Sequence, residues 1–353
     1  MGAAWEMQRL YPEGFVFMTA LYGLSWAELA GVLPPNDSLG LSARHELKWA
    51  LSELTSEDAQ RTFNKNLDPA YGIFYRGWSN YVLGRTLEVT PGNERDPDLV
   101  QDFRENCAEI FQALENRESP YLESYYQACW PADMVIAMAS VAIAVRLFPG
   151  EFEAPIQGWL EKVKKKTDEL GLIPHAASWD SGESLEPARG SSQGLILNFL
   201  WEIDPDFAKQ QFEIYRENFL TYRLGLPGIR EYPKGKKGKG DVDSGPVIWD
   251  IGGAASIVGQ RVMDLYGEPD EAIGLRNSIE TFACGMTIRG EKKYLFGVLP
   301  LADAFIAWSN SVEVLEQNRL AAQGWWWVKM QGFILFNLFF LGLAIFVLLK
   351  KVK

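Results

Sequence analysis

Six apolar stretches recur along the chain, and each follows a short lead-in of turn-forming and aromatic residues. The stretches cover 15–29, 73–87, 133–147, 192–201, 247–266 and 301–311. Their lead-ins are YPEG from Tyr11, YGIFYRG from Tyr71, CWPAD from Cys129, RGSSQG from Arg189, DSGP from Asp243 and LPLAD from Leu299. Successive lead-ins lie roughly 55–60 residues apart, a spacing that suits architectures built from repeated supersecondary units. A segment apolar on nearly every side reads as a buried helix, whereas one apolar stripe marks a surface helix. Segments of the second kind fill the intervals: DPDLVQDFRENCAEIFQALEN from Asp96, APIQGWLEKVKKKTDELG from Ala154 and DPDFAKQQFEIYRENF from Asp204. Asp96 and Asp204 suit N-caps, where a carboxylate accepts from free first-turn N–H groups. Pro97 and Pro205 suit the first helical position, where no N–H bond is lost.

This alternation predicts an all-α fold, an (α/α)6 toroid over residues 1–320 with short β-hairpin loops at its mouth. Six buried helices would form the inner ring. Five surface helices fall between them, so the sixth must precede Tyr11 or follow Ser311. Ten residues precede Tyr11, which leaves open a truncated N-terminus.

The segment 332–349, GFILFNLFFLGLAIFVLL, has Asn337 as its one polar side chain. At ~1.5 Å per residue it spans about 27 Å, close to the ~30 Å hydrocarbon core of a bilayer. Trp325, Trp326 and Trp327 sit where an interfacial belt belongs, and Lys350, Lys351 and Lys353 close the far end. These features predict a C-terminal transmembrane helix over 325–350, a basic tail over 350–353 and the lipid bilayer as a partner. The lysines favour a cytoplasmic C-terminus and hence an extracytoplasmic domain. The opening MGAAWEMQRL lacks the apolar core of a signal peptide. A cytosolic, tail-anchored domain is therefore the alternative.

A formal net charge of −12 argues against a nucleic-acid partner, which needs a basic footprint. Cys107, Cys129 and Cys284 form no CxxC pair and, being odd in number, no disulfide framework. His45 and His175 are the only histidines and lack metal-ligand spacing, so neither a metal nor another cofactor is expected.

In such a toroid the lead-ins line one mouth of the ring. Helix N-termini there carry partial positive charge and free N–H groups, which favour anionic or polyhydroxylated ligands. A small-molecule or glycan substrate is the expected partner, with Tyr11, Tyr71, Arg76, Trp130, Trp179, Arg189 and Trp249 as candidate binding residues. Asp133, Asp243, Glu186, Cys129 and His175 are the candidate catalytic residues. Asp133 lies one turn into an otherwise apolar helix, and a buried carboxylate there needs partners or a raised pKa. Asp243, before Ser244-Gly245-Pro246, reads equally as a turn residue, Arg189 as the partner of a loop carboxylate, and Cys129 as a small apolar residue. The run KGKKGKG from Lys234 reads as a solvated loop tip between strands. At the mouth it would serve as a lid or touch anionic headgroups.

The stretches YPEGFVF, CWPADMVIAMASVA, GLIPHAASWDSG with RGSSQG, and DVDSGPVIWDIGGAAS resemble the linalool dehydratase/isomerase-like group of (α/α)6 proteins. That group is similar to the six-hairpin glycosidase superfamily, and the resemblance covers roughly 11–312. It implies acid–base chemistry by cysteine, histidine, aspartate and tyrosine side chains around the mouth, with Cys129 matching one cysteine. The helix that Cys129 opens has no second cysteine. The abundance of Trp and Tyr beside carboxylates looks closer to a sugar site, where paired acids work beside aromatic faces. The leading expectation is a membrane-anchored enzyme using Asp133 and Asp243, with Glu186 as substitute for either, on a sugar-like substrate. The alternatives are a dehydratase or isomerase using Cys129 and His175, and a non-catalytic membrane-anchored binding or scaffold protein.

Overall fold

The computed structural model describes residues 2–34, 36–242 and 244–312, together with 332, 334–343 and 345. The chain is mainly helical. In order come Gly2–Leu10 (α1), Gly14–Val32 (α2), Ser38–Leu54 (α3), Glu57–Gln60 (α4), Gly72–Glu88 (α5), Pro97–Leu114 (α6) and Pro131–Leu147 (α7). Glu153–Val163 (α8), Gly190–Ile203 (α9), Pro205–Phe219 (α10), Gly253–Leu265 (α11), Pro269–Phe282 (α12) and Pro300–Ser311 (α13) follow. The strands are short antiparallel hairpins, among them Ala176–Ala177 with Ser184–Glu186 and Val247–Ile248 with Ile251–Gly252.

Packing among the apolar helices is cyclic. α2 lies on α5, α5 on α7, α7 on α9, α9 on α11, α11 on α13, and α13 returns to α2. Neighbours run parallel, because contacts pair early residues with early and late with late. A Cβ at Gly77 of α5 would lie 3.0 Å from the Asp133 carbonyl of α7, and one at Gly84 would lie 3.1 Å from Ile143. Glycine thus lets these two helices approach closely. All six helices start at one end of the bundle, called the mouth below. α3, α6, α8, α10 and α12 each pack against one or two of these six. The short α1 lies against both α2 and α13.

Aromatic rings fill the middle of the cycle. Phe17 meets Trp78 at 5.2 Å between centroids, Trp78 meets Phe199 at 5.7 Å, and Phe199 stacks on Trp308 at 5.8 Å. Phe305 closes the circuit, 6.4 Å from Trp308 and 5.6 Å from Phe17. Each such pair contributes ~0.5–1.5 kcal/mol beyond the area it buries. Beyond this layer, toward the helix C-termini, lies an ionic layer. Glu28 of α2 accepts from Arg261 of α11 at 2.5 Å and faces Arg85 of α5 at 3.7 Å. Arg146 of α7 bridges Glu88 of α5 at 2.8 Å and Glu202 of α9 at 2.7 Å, and Tyr81 donates to Glu202. Three arginines face three glutamates, so the charges cancel and the layer reads as a clamp between helices.

Local differences from the sequence reading have local causes. Asp96 and Asp204 do cap their helices, accepting from the N–H groups of Asp98 and Phe207 at 3.0 Å each. The apolar stretch 247–266 begins as a hairpin, however, and α11 starts only at Gly253. Pro246 withholds an N–H just before it, and Arg230 pairs with Ile251 as a bridge. The segment from Ala154 leaves the helix after Val163, because the Asp168 carboxylate instead takes the N–H groups of Leu170, Leu172 and Ala188.

Among the described residues, α2 is the helix long and apolar enough to cross a bilayer; 56% of it is buried, against α3, α5 and α13. That burial makes it a core helix of the cycle. Of the expected C-terminal span, Ile334–Leu343 is an apolar helix with exposed Leu335, Phe336, Phe339 and Leu341. The tryptophans at 325–327 and the lysine tail at 350–353 lie outside the described residues.

Replacing Arg261 by Ala removes the nearer of the two cations beside the buried Glu28 carboxylate and leaves Arg85 at 3.7 Å. It is expected to cost ~1.5–3 kcal/mol, the range for a hydrogen bond to a charged group. Arg61→Ala, which breaks an exposed pair with Asp58, should cost no more than ~1 kcal/mol. Urea denaturation of both variants checks the contrast.

Candidate functional site

The chain between α10 and α11 crosses the start of α9 so closely that glycine is required there. A Cβ at Gly190 would lie 1.9 Å from the Arg230 carbonyl oxygen, and the Gly190 N–H donates to the Glu231 carbonyl at 2.9 Å. On the other side, a Cβ at Gly252 would lie 2.9 Å from Glu231 Oε2. Glu231 is therefore wedged between the starts of two ring helices and is 0% exposed. Its Oε1 accepts from the Ser191 hydroxyl at 2.7 Å, and its Oε2 is buried with no hydrogen-bond partner among the described residues. Burial raises its pKa from the ordinary 4.5 to about 7, against the Ser191 hydrogen bond and the Arg189 charge, with Asp241 adding to the rise.

Arg189, the residue before α9, joins the surrounding charges. It donates to Glu186 Oε2 at 2.5 Å and to Asp241, and its guanidinium lies 5.6 Å from the Tyr232 ring centroid. Asp241 is half-exposed, and its pKa goes the opposite way. Its partial burial would raise the value, but hydrogen bonds from the Ser244 N–H and hydroxyl, with Arg189 beside it, hold it at about 2. Two neighbouring carboxyls thus differ in state at neutral pH: Asp241 is ionised, and Glu231 is poised between its two forms.

His175 joins the cluster through its backbone N–H, which donates to the Glu186 carbonyl at 3.0 Å. Its Nδ1 is buried without a hydrogen-bond partner among the described residues. Burial and then the Arg189 charge lower its pKa to about 4, against Glu186 and Asp241, so the imidazole is neutral. The lysine-rich loop is fastened over this cluster. Arg230 donates to the Lys236 carbonyl at 3.1 Å, and the Tyr232 hydroxyl donates to the Lys239 carbonyl at 2.6 Å.

The other expected site residues lie elsewhere around the mouth. Cys129 is buried before α7, and its carbonyl accepts from the Ala177 N–H at 3.2 Å. Burial first, then Asp133 and Glu123, push its thiol above the usual range, so it carries no thiolate at neutral pH. Asp133 is buried in the first turn of α7. Trp130, just before that helix, packs edge-on against Tyr125 at 5.6 Å, whose hydroxyl reaches Glu13 at 3.4 Å. Tyr11 is half-buried and turns the chain into α2. Tyr71 caps α5 with a left-handed backbone, φ 72°, and meets Tyr75 edge-on. Arg76 points away from the ring, to the Ala70 carbonyl, Asn106 and Glu109, at a cleft of ≈ 510 Å³ bordered by α3, α5 and α6. Trp179 packs half-buried on the core, and Trp249 is exposed at its hairpin tip. Asp243 lies outside the described residues.

Of the residues expected from sequence, the cluster unites Glu186, Arg189 and His175. It adds Asp241, which the DVDSGPVIWD lead-in offers to the mouth, and Ser191 and Glu231, which the sequence reading did not select. Glu231 stands between Arg230 and the basic run from Lys234, where it reads as one more surface charge. Only the glycines that flank it in space, Gly190 and Gly252, hint at crowding. No three His, Cys, Asp or Glu side chains converge as metal ligands among the described residues. Comparison with protein-family models and with curated proteins finds none that matches this chain.

The raised pKa of Glu231 makes a signed prediction. Below about pH 4.5 the carboxyl is protonated whether the chain is folded or not, and the full stability is present. As pH rises through about 7 that contribution is lost, by roughly 3 kcal/mol for a rise from 4.5 to 7. Glu231→Gln should flatten this part of the pH dependence, read by urea denaturation at pH 5 and pH 8.

Proposed function

We propose that the chain is a membrane-anchored (α/α)6 toroid enzyme that protonates a leaving oxygen on a neutral, sugar-like or polyhydroxylated substrate at its mouth. The cyclic packing order, the parallel ring helices and the outer helices support the toroid reading. The apolar segment 332–349, with exposed leucines and phenylalanines on its described helix, supports the anchor. The terminal lysines favour an extracytoplasmic domain.

The observation that carries the functional reading is the opposed pair of carboxyls. Environments that push two neighbouring acids apart in pKa assign one as acid and the other as anionic partner. Here Glu231, at about 7, keeps its proton up to near neutral pH, and Asp241, at about 2, stays charged. Ser191 is half-buried and donates to Glu231 Oε1. Once its hydroxyl rotates to accept from the protonated carboxyl and to donate to a bound oxygen, the proton passes outward as the bond from carbon to that leaving oxygen breaks. Water then adds to the carbon to complete the hydrolysis. Asp241 then faces the positive charge that develops as the oxygen leaves. Arg189 orients Asp241 but is already engaged by two carboxylates, which disfavours an anionic substrate. A neutral polyol fits better.

Protonation of an oxygen is also the first step of a dehydration, the chemistry that the family resemblance implies. A route through Cys129 and His175 is less favoured, because the thiol is buried and protonated and the imidazole is neutral. The full chain in detergent micelles should hydrolyse members of a panel of 4-nitrophenyl glycosides, with kcat/KM falling as pH rises through about 7. Glu231→Gln should lower turnover ~10²–10⁴-fold. Full turnover in that variant would remove Glu231 from the mechanism. If no glycoside or polyol is turned over or raises Tm, the non-catalytic binding reading is the better one.

A further inference from the structure

Single exposed apolar side chains are ordinary on a protein surface, but those at the mouth are neither single nor scattered. Tyr126 precedes α7, Leu185 precedes α9, Ile248 and Trp249 precede α11, and Phe296 and Val298 precede α13. All six are 61–77% exposed. Four lead-in loops thus present bulky apolar tips at the end where the ring helices start.

Two tips use backbone geometry that large residues disfavour. Trp249 has φ 52°, and Leu295 and Phe296 have φ 47° and 59°. Turn positions in this left-handed region ordinarily take glycine or asparagine. A large apolar residue there meets strain and water together, unless something apolar receives it. Beside these tips Lys234, Lys236, Lys237 and Lys239 are exposed, on a loop whose backbone Arg230 and Tyr232 hold in place. Basic side chains are thereby fixed on one rim of a chain with net charge −12.

We propose that this rim docks onto an anionic lipid surface. The apolar tips enter the interfacial zone, and the four lysines lie over the headgroups.

The test uses the full chain reconstituted into phosphatidylcholine vesicles with or without phosphatidylglycerol. In a Cys284→Ser background, which leaves the buried Cys107 and Cys129, an environment-sensitive fluorophore is attached through Ile248→Cys. Phe296→Cys serves as a second rim position, and Leu41→Cys on α3 as an exposed control. In anionic vesicles both rim labels should shift to the blue and become at least about threefold less accessible to aqueous iodide, with the control unchanged. Changing the four lysines to Gln should return the rim labels to their values in neutral vesicles. Rim labels that behave like the control in both lipids would overturn the proposal. Protection without lipid that grows with protein concentration would also overturn it, and would assign the rim to a second copy of the chain.

Discussion

The aromatic circuit from Phe17 through Trp78, Phe199, Trp308 and Phe305 fixes what the rest of the chain can do. It joins helices that are not neighbours in the packing order, since Trp78 of α5 meets Phe199 of α9 directly. Aromatic contacts thereby cross the middle of the ring, and the ion pairs of Glu28, Arg85, Arg146, Glu202 and Arg261 tie the helices together on the side beyond it. The proposed site lies at the mouth, where loops and helix N-termini meet. A packed middle also explains why that end can hold close backbone crossings. A rigid support lets Gly190 and Gly252 bring two helix starts against one carboxyl.

Glu231 is the product of that support. Water is kept from it by the Arg230 carbonyl crossing α9 and by the start of α11, and Ser191 gives it one hydrogen bond. Asp241, on the same loop system, keeps contact with solvent and with Arg189. Burial governs the first carboxyl and hydrogen bonds from Ser244 the second, and Arg189 acts on both. The cluster sets a carboxyl poised between its two forms beside an ionised one, with the Ser191 hydroxyl bonded to the first.

The ring helices were legible because burial on every side leaves a plain record in sequence. α7 carries fourteen buried residues in a row from Pro131 to Ala144, and no surface segment could be written that way. The caps at Asp96 and Asp204 were legible for a similarly local reason. The end of α8 was not, since Asp168 takes N–H groups from as far off as Ala188. The site was legible only where it lies in the lead-ins, as with Glu186, Arg189 and His175. Glu231 was hidden because its burial comes from segments remote in sequence and because lysines follow it. Arg76 misled in the opposite sense: it sits in the second lead-in, but its partners Asn106 and Glu109 belong to α6.

The account depends most on Glu231 holding its proton where other carboxyls have lost theirs. Carbon-13 NMR of the full chain in micelles, labelled at glutamate carboxyls and assigned by loss of one resonance in Glu231→Gln, measures this directly. The expected result is a single glutamate titrating near pH 7. A Glu231 resonance that titrates with the bulk of the glutamates, near the ordinary value of ~4.3, would contradict the account.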